Sequence, residues 1–206
     1  MTRMQSLLLL AMSWTAWCFL HSFLISRTFA DMMKKKMGRR YAYYRMAYNI
    51  ISLVFIIPVI LFQLSLREKI FFPWPWPWSL VKFALYGAAF LLLYGGGRVY
   101  DIQYMLGIRQ IHGMKSGSRK VAMGFTTAGI LGYVRHPWYS GAILLVWAYG
   151  PITDVSLVSK VVLTGYLIIG TLLEEKKLLA EFGEQYRQYR KTVPMYLPWK
   201  MAKRLF

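Results

Sequence analysis

Five apolar runs divide this otherwise basic chain, and their lengths constrain its fold more than any other feature. Three runs, at about 4–26, 46–66 and 78–96, are long enough to cross a bilayer, because about 20 helical residues span its hydrocarbon layer. Two shorter runs, at about 139–150 and 155–173, are separated by a turn-forming Pro-Ile-Thr-Asp sequence. We therefore expect an all-α integral membrane protein with about five transmembrane helices, the last two forming a short helical hairpin.

Charge is distributed unevenly between these runs. The chain has 26 Lys and Arg against 8 Asp and Glu, and the basic residues concentrate in segments 27–45, 98–135 and 176–204. Because long apolar runs separate these segments, no continuous basic face is expected and nucleic acid is not an expected partner. Cytoplasmic loops retain Lys and Arg, so the distribution predicts an outside N-terminus and a cytoplasmic C-terminus.

The polar sequence available to bind a charged cofactor lies mostly in the second half. We divide the chain into a three-span membrane region, 1–97, and a cofactor-binding region, 98–206, which contains the hairpin and cytoplasmic C-terminal helices. The segment 182–190 predicts a cap helix lying on the inner leaflet and ended by Val193-Pro194. On the outer side, the Pro-Trp repeat 73–78 predicts contact with membrane lipids through an aromatic belt.

A cluster at 133–141 combines the residue types that could bind a ligand. Arg135 and His136 precede Pro137, which suits a first helical turn, so the following backbone N–H groups can face a ligand. An ordinary interfacial anchor explains the cluster equally well, with Arg135 on lipid phosphate and Trp138 and Tyr139 in the aromatic belt.

Two adjacent carboxylates, Glu174 and Glu175, end the last apolar run. Negative charge at a helix C-terminus is unfavourable, so a cation should compensate it. Lys176 and Lys177 could do so, as could an ammonium or sulfonium group on a ligand.

Five linked motifs within residues 124–198 carry a family resemblance. They are Arg-His-Pro-x-Tyr-x-Gly from residue 135, the short hairpin, Glu174-Glu175, Phe-Gly-x-x-Tyr-x-x-Tyr from residue 182, and Val-Pro-x-x-Leu-Pro from residue 193. In order and spacing they resemble the C-terminal half of the isoprenylcysteine carboxyl methyltransferase and phospholipid methyltransferase superfamily. The pair His21-Ser22 resembles bacterial members related to methanethiol S-methyltransferases and NnrU-like proteins. The resemblance implies the inner membrane of a bacterial or archaeal cell.

The resemblance also implies an S-adenosylmethionine pocket on the cytoplasmic side. In this chain, the cofactor-binding positions of the family correspond to a short stretch before the hairpin, the start of the hairpin and one later acidic residue. They are Met123, Gly124, Phe125, Thr126, Leu131, His136, Pro137, Trp138, Tyr139 and Glu174. Arg135 is the expected partner of the methionyl carboxylate, and His136 and Tyr139 would position the cofactor. His21, an ionisable ring inside the first span, either hydrogen-bonds a neighbouring helix or accepts a thiol proton.

The acceptor is expected to be lipophilic or small and dissolved in the membrane. Carboxyl-methylating members carry an arginine where this chain has Gly170, which disfavours a carboxylate and favours a hydrophobic or small thiol. A prenylcysteine carboxyl or phospholipid amine acceptor is the alternative, and a non-enzymatic membrane assembly factor is an alternative of another class. No metal site is expected, because the three histidines lack helical ligand spacing. The glycines at 95–97 lack a preceding strand and predict a flexible span end rather than a nucleotide-binding loop.

Overall fold

The computed structural model describes residues 1–116 and 124–198, which are mainly α-helical. The helices are α1 (Arg3–Ile25), α2 (Arg27–Met37), α3 (Tyr44–Ser65), α4 (Trp78–Val99), α5 (Ile102–Leu106), α6 (Ile108–Ser116), α7 (Pro137–Ala148) and α8 (Asp154–Thr192). Short 3₁₀ helices occur at Gly38–Tyr43 and Gly129–Gly132, and two short strands are β1 (Ile70–Phe72) and β2 (Ile152–Thr153).

Four helical stretches of the described chain are long and apolar enough to cross a membrane. Three of them are α1, α4 and α8, and the fourth is the stretch Arg27–Ser65, which contains α3. This confirms the predicted all-α membrane class. Helix α7 has 12 residues, or about 18 Å of rise, which is shorter than the roughly 30 Å hydrocarbon layer. The count of five spans therefore stays a prediction.

Helix α8 is longer than the apolar run from which it was predicted. The run at 155–173 continues as helix to Thr192, with a break at Gly183, where φ is 55° and ψ is −125°. That backbone region is open to glycine and strained for other residues. Helix α8 is thus two helical stretches joined at Gly183.

A small antiparallel strand pair, which was not predicted, links the α3–α4 connection to the α7–α8 connection. Ile70 pairs with Thr153 and Phe72 with Ile152. Backbone groups outside helices still need hydrogen-bond partners, and this pairing supplies them. Nearby, Trp74 of the Pro-Trp repeat donates its indole N–H to the Gly150 carbonyl at 3.1 Å, whereas Trp76 is 76% exposed and remains suited to lipid contact.

The described residues fall into two compact units that interleave along the sequence. Unit 1 combines 1–69, 101–122 and 154–162, and unit 2 combines 70–100, 123–153 and 163–206, in each case as far as the residues are described. The functional division into 1–97 and 98–206 stays a prediction.

Unit 1 is held by polar contacts between α1 and α3. Trp14 donates to the Gln63 side chain at 2.8 Å, and Trp17 donates to the Ser52 carbonyl at 2.9 Å. Near one end of α1, Leu24 packs with Tyr44 and Tyr48 in a buried cluster. Because lipid offers no hydrogen-bond partners, such contacts satisfy polar groups inside a membrane.

Unit 2 depends on the close approach of α4 and α7. A Cβ at Gly141 would lie 2.8 Å from Leu93 Cγ, and one at Gly96 would lie 2.3 Å from Trp138 Cδ1. The Trp138 indole also donates to the Leu93 carbonyl at 3.0 Å. The glycines at 95–97 are therefore helical and lie at the end of α4, with Trp138 packed against Gly96; the predicted flexibility of this span end stays a prediction.

Candidate functional site

The candidate site forms in unit 2, where the chain enters α7. His136 is the N-cap residue and Pro137 occupies the first turn, as the sequence predicted. The approach to this helix is fixed by backbone pairing, because Arg135 N–H donates to the Pro194 carbonyl at 3.0 Å and His136 N–H to the Met195 carbonyl at 3.2 Å. The segment after α8 thus lies directly against the residues before α7.

Glu175 is the centre of a buried polar network. One carboxylate oxygen contacts Arg135 Nε at 2.9 Å, His136 Nε2 at 2.7 Å and the Tyr186 hydroxyl at 2.6 Å. The other contacts Arg135 Nη2 at 3.2 Å and Arg190 Nε at 2.9 Å. Glu175 is 4% exposed and His136 is 1% exposed. The network ties the start of α7 to both stretches of α8.

Arg135 is largely committed to the protein itself. Besides Glu175, its Nη1 donates to the carbonyls of Arg190 and Val193. Four of its five N–H groups therefore have protein acceptors. A role toward the methionyl carboxylate stays a prediction, and the geometry favours a positioning role.

Glu174 has a different environment from its neighbour. The Tyr139 side chain lies beside its carboxylate, and Glu174 is partly exposed. Within residues 1–116 and 124–198, no salt bridge joins Glu174 to a basic side chain. A cationic ligand could therefore pair with the Glu174 carboxylate.

Aromatic rings surround this carboxylate. Tyr100 packs edge-on against Trp138, with ring centroids 5.0 Å apart. Burial raises the pKa of Tyr100, and the nearby Glu174 carboxylate raises it further, so this phenol stays neutral. A Cβ at Gly170 would lie 3.2 Å from Tyr139 Cε1. Tyr139 consequently lies over Gly170 and beside Glu174.

The remaining predicted residues are dispersed around the site. Phe125 packs against Phe182, Tyr186 and Tyr189. Leu131 is buried, and its carbonyl accepts the Tyr189 hydroxyl at 2.6 Å. Gly124 and Thr126 are exposed, and Met123 lies outside the described residues.

His21 belongs to unit 1. Its Nδ1 lies 3.0 Å from the Ser52 hydroxyl, and its ring stacks on Trp17 with centroids 5.5 Å apart. This is a hydrogen bond to a neighbouring helix, one of the two roles expected for it. Its role as a proton acceptor stays a prediction. In the described parts of the chain, no three His, Cys, Asp or Glu side chains gather as a metal site.

Comparison with known proteins decides the family. The model described as NnrU protein matches residues 8–193, which is most of the chain. The chain belongs to the NnrU protein family. The predicted resemblance to the membrane methyltransferase superfamily is thereby confirmed, since relatives of this NnrU chain carry methyltransferase names.

Several curated relatives share part of the NnrU chain. Methanethiol S-methyltransferase 1 of Bradyrhizobium diazoefficiens is 32% identical over 115 residues, 56% of this chain and 40% of that protein. Methanethiol S-methyltransferase of Pseudomonas deceptionensis is 39% identical over 94 residues, 46% of this chain and 36% of that protein. Protein-S-isoprenylcysteine O-methyltransferase of Schizosaccharomyces pombe is 38% identical over 77 residues, 35% of this chain and 32% of that protein. Each match covers less than half of the relative. No solved structure matches.

Four residues of the site were missed as site residues by the sequence reasoning. Tyr186 and Arg190 lie 11 and 15 residues after Glu175. The helix breaks at Gly183 between them, so helical periodicity could not predict that they face Glu175. Tyr100 ends α4 and carries no motif. Glu175 was noticed only as the neighbour of Glu174, and its pairing with Arg135 spans 40 residues.

Proposed function

We propose that this NnrU-family chain is an S-adenosylmethionine-dependent membrane methyltransferase that acts on a small or hydrophobic thiol. The observation that carries the proposal is Glu174, a partly exposed carboxylate with a tyrosine partner and no basic partner in the described chain. The curated names of the relatives support the reaction class, because six of them are methanethiol S-methyltransferases.

The charge of the site fits the methyl donor. S-adenosylmethionine, when bound, supplies a methyl group on a positively charged sulfur. Glu174 would attract this sulfonium or the donor's ammonium group, whereas Glu175 could not, because Arg135 and Arg190 already neutralise it. Tyr139 would hold Glu174 in one orientation through its hydroxyl. Further donor-binding positions proposed from the resemblance are Met123, Gly124, Phe125, Thr126, Leu131, His136, Pro137 and Trp138.

The remaining residues would position the reactants and exclude water. Methyl transfer needs two reacting atoms aligned in a dry cavity, so the chain has little covalent chemistry to perform. Trp138 and Tyr100 would provide the apolar wall beside Glu174. Arg135 and His136 would act through Glu175, keeping the start of α7 in place. A proton released by the thiol would go to water.

A thiol suits the surroundings of Tyr139 better than a carboxylate does. An acceptor carboxylate would enter beside Glu174, and like charges repel. An arginine at Gly170 could not reach it without displacing the Tyr139 ring, which lies 3.2 Å from a Cβ at that position. A thiol enters neutral and avoids this cost. The match to the Schizosaccharomyces pombe enzyme favours a prenylcysteine carboxylate as the second candidate.

The proposed function includes an orientation in the membrane. Five spans, an outside N-terminus and a C-terminal cap in the cytoplasm would bring Glu174 to the side where the donor is dissolved. The one-sided distribution of Lys and Arg supports this arrangement.

Calorimetry with S-adenosylmethionine, measured without an acceptor, tests the donor site, because this probe carries both the sulfonium and the ammonium group that Glu174 could attract. We expect Glu174→Gln to weaken binding roughly 10- to 150-fold, because a charge-assisted hydrogen bond contributes about 1.5–3 kcal/mol. Glu181→Gln is the matched control, since Glu181 is an exposed carboxylate of the same helix, and it should bind as the unaltered chain does. Equal affinities of all three proteins would show that Glu174 does not contribute to donor binding. No binding by the unaltered chain would favour a non-enzymatic assembly factor.

A further inference from the structure

A second candidate site borders the Glu175 network, because Arg135 and Arg190 belong to both. An open pocket of about 300 Å³ is lined by four basic side chains, Arg135, Arg187, Arg190 and Lys191. Among the described residues, no acidic side chain lines it. The proposed methyl transfer assigns no role to Arg187, Arg190 or Lys191, because its donor site is placed at Glu174.

The sequence after Gly183 explains why these side chains converge. Positions 187, 190 and 191 share one face of a helix, since residues three and four apart are neighbours. The opposite face carries Tyr186, Tyr189 and Val193, which are buried together. The second stretch of α8 is therefore amphipathic: its aromatic face packs into unit 2 and its basic face borders the pocket.

The arginines of the pocket outnumber the acids that pair with them. Glu175 contacts both Arg135 and Arg190, and Glu184 pairs with Arg187 at 2.7 Å. Three guanidinium groups thus share two carboxylates, which leaves one positive charge in excess among the arginines. The buried guanidinium of Arg135 also keeps one N–H group beyond its four protein hydrogen bonds. Such a pocket attracts an anion with several oxygen acceptors.

A phosphate group fits this arrangement best. Arginine N–H groups match phosphate oxygens in a planar fork, and exposed guanidinium groups are available here, because Arg187 and Arg190 are 61% and 42% exposed in their side chains. The pocket lies beyond the apolar run of α8, where a membrane helix meets the headgroup layer. The cytoplasmic leaflet carries anionic lipids that attract basic segments next to membrane helices.

We propose that Arg135, Arg187, Arg190 and Lys191 bind the phosphate of an anionic phospholipid and so fix the second stretch of α8 to the inner leaflet. This proposal rests on the cytoplasmic orientation of the C-terminus and not on methyl transfer. A chain without transferase activity would still bind the lipid.

The test measures lipid binding by the full chain in detergent, with native mass spectrometry as the readout. The probes are short-chain phosphatidylglycerol, short-chain phosphatidylcholine and inorganic phosphate. The variant Arg187→Gln with Lys191→Gln removes two charges of the pocket, and Lys176→Gln with Lys177→Gln removes two charges from exposed lysines of the same helix that do not line it. Thermal melting establishes that each variant is folded.

We expect the unaltered chain to bind phosphatidylglycerol and not phosphatidylcholine. The pocket variant should lose about tenfold or more in affinity, while the control variant should stay within about threefold. Equal binding of both lipids by the unaltered chain would overturn the proposal even if the pocket variant failed to fold. Equal losses in the two variants would show that general surface charge is responsible, which also overturns it. Displacement of phosphatidylglycerol by equimolar inorganic phosphate would assign the pocket to a soluble anion instead.

Discussion

At the scale of single residues, the adjacent pair Glu174 and Glu175 shows how one helical step separates two roles. Consecutive helical residues point about 100° apart, so Glu175 turns toward Arg135 and His136 whereas Glu174 turns toward Tyr139. One carboxylate is buried and neutralised by cations, and the other is partly exposed with a neutral phenol as its partner. The first organises the fold, and we propose that the second meets the ligand.

Replacing Glu175 should therefore harm stability more than replacing any exposed acid. Glu175→Gln leaves the buried Arg135 without its counter-charge, and breaking a buried ion pair in this way costs about 3–5 kcal/mol. Glu184→Gln is the matched control, because Glu184 also pairs with an arginine but its side chain is 59% exposed, and it should melt like the unaltered chain. Thermal unfolding in detergent gives the comparison. A Glu175→Gln protein as stable as the Glu184→Gln protein would mean that the network contributes little.

The sequence located most of these residues without assigning their partners. Arg135, His136 and Glu174-Glu175 stand out because charged residues at the ends of apolar runs are costly. Which glutamate faces Arg135 depends on the rotation of α8 about its axis, and the sequence does not contain that angle. The contact with Tyr186 further depends on the break at Gly183, so it could not be read from periodicity.

At the scale of elements, the two stretches of α8 are the part that carries both proposed sites. Gly183 joins them with φ at 55°, and no atom lies within 4 Å of the position where a Cβ would be. A substitution there would strain the backbone without a clash. The position of Tyr186, Tyr189 and the basic face follows from this single joint.

Gly183→Ala should accordingly loosen the second stretch of α8. Holding a non-glycine residue in this conformation costs about 1–3 kcal/mol. Gly165→Ala is the control within the same helix, because its added Cβ also meets no atom within 4 Å, and it should leave stability unchanged or raise it by about 0.5–1 kcal/mol. Hydrogen exchange at residues 184–192 reports the effect. Identical exchange in both variants would show that Gly183 does not set the geometry.

Elements were predictable to the extent that hydrophobicity determines them. The runs at 4–26, 46–66 and 78–96 correspond to α1 (Arg3–Ile25), α3 (Tyr44–Ser65) and α4 (Trp78–Val99), because lipid requires every backbone group to be bonded within a helix. The pair β1–β2 was missed, since three and two residues give no periodic pattern. The close contact at Gly96 was not predicted, because Trp138, which fills the space beside it, lies far away in the sequence.

At the scale of the whole molecule, the chain combines span-length helices with one polar network and very little other buried charge in its described part. The family could be recognised from five short motifs, and the match to residues 8–193 confirms it. The acceptor could not be derived from the sequence, because a cavity for a hydrophobic thiol and a cavity for a prenyl group are lined by the same kinds of apolar side chain.

The most direct test of the proposed function is a competition between two acceptors for one labelled methyl group. The purified chain, in detergent with methyl-labelled S-adenosylmethionine, would receive a hydrophobic thiol and a prenylcysteine at equal concentration. We predict that label enters the thioether faster than the methyl ester, and that Glu174→Gln slows both reactions at limiting donor. Faster labelling of the prenylcysteine carboxylate, or no labelling of either acceptor at saturating donor, would contradict the proposed thiol methyltransferase.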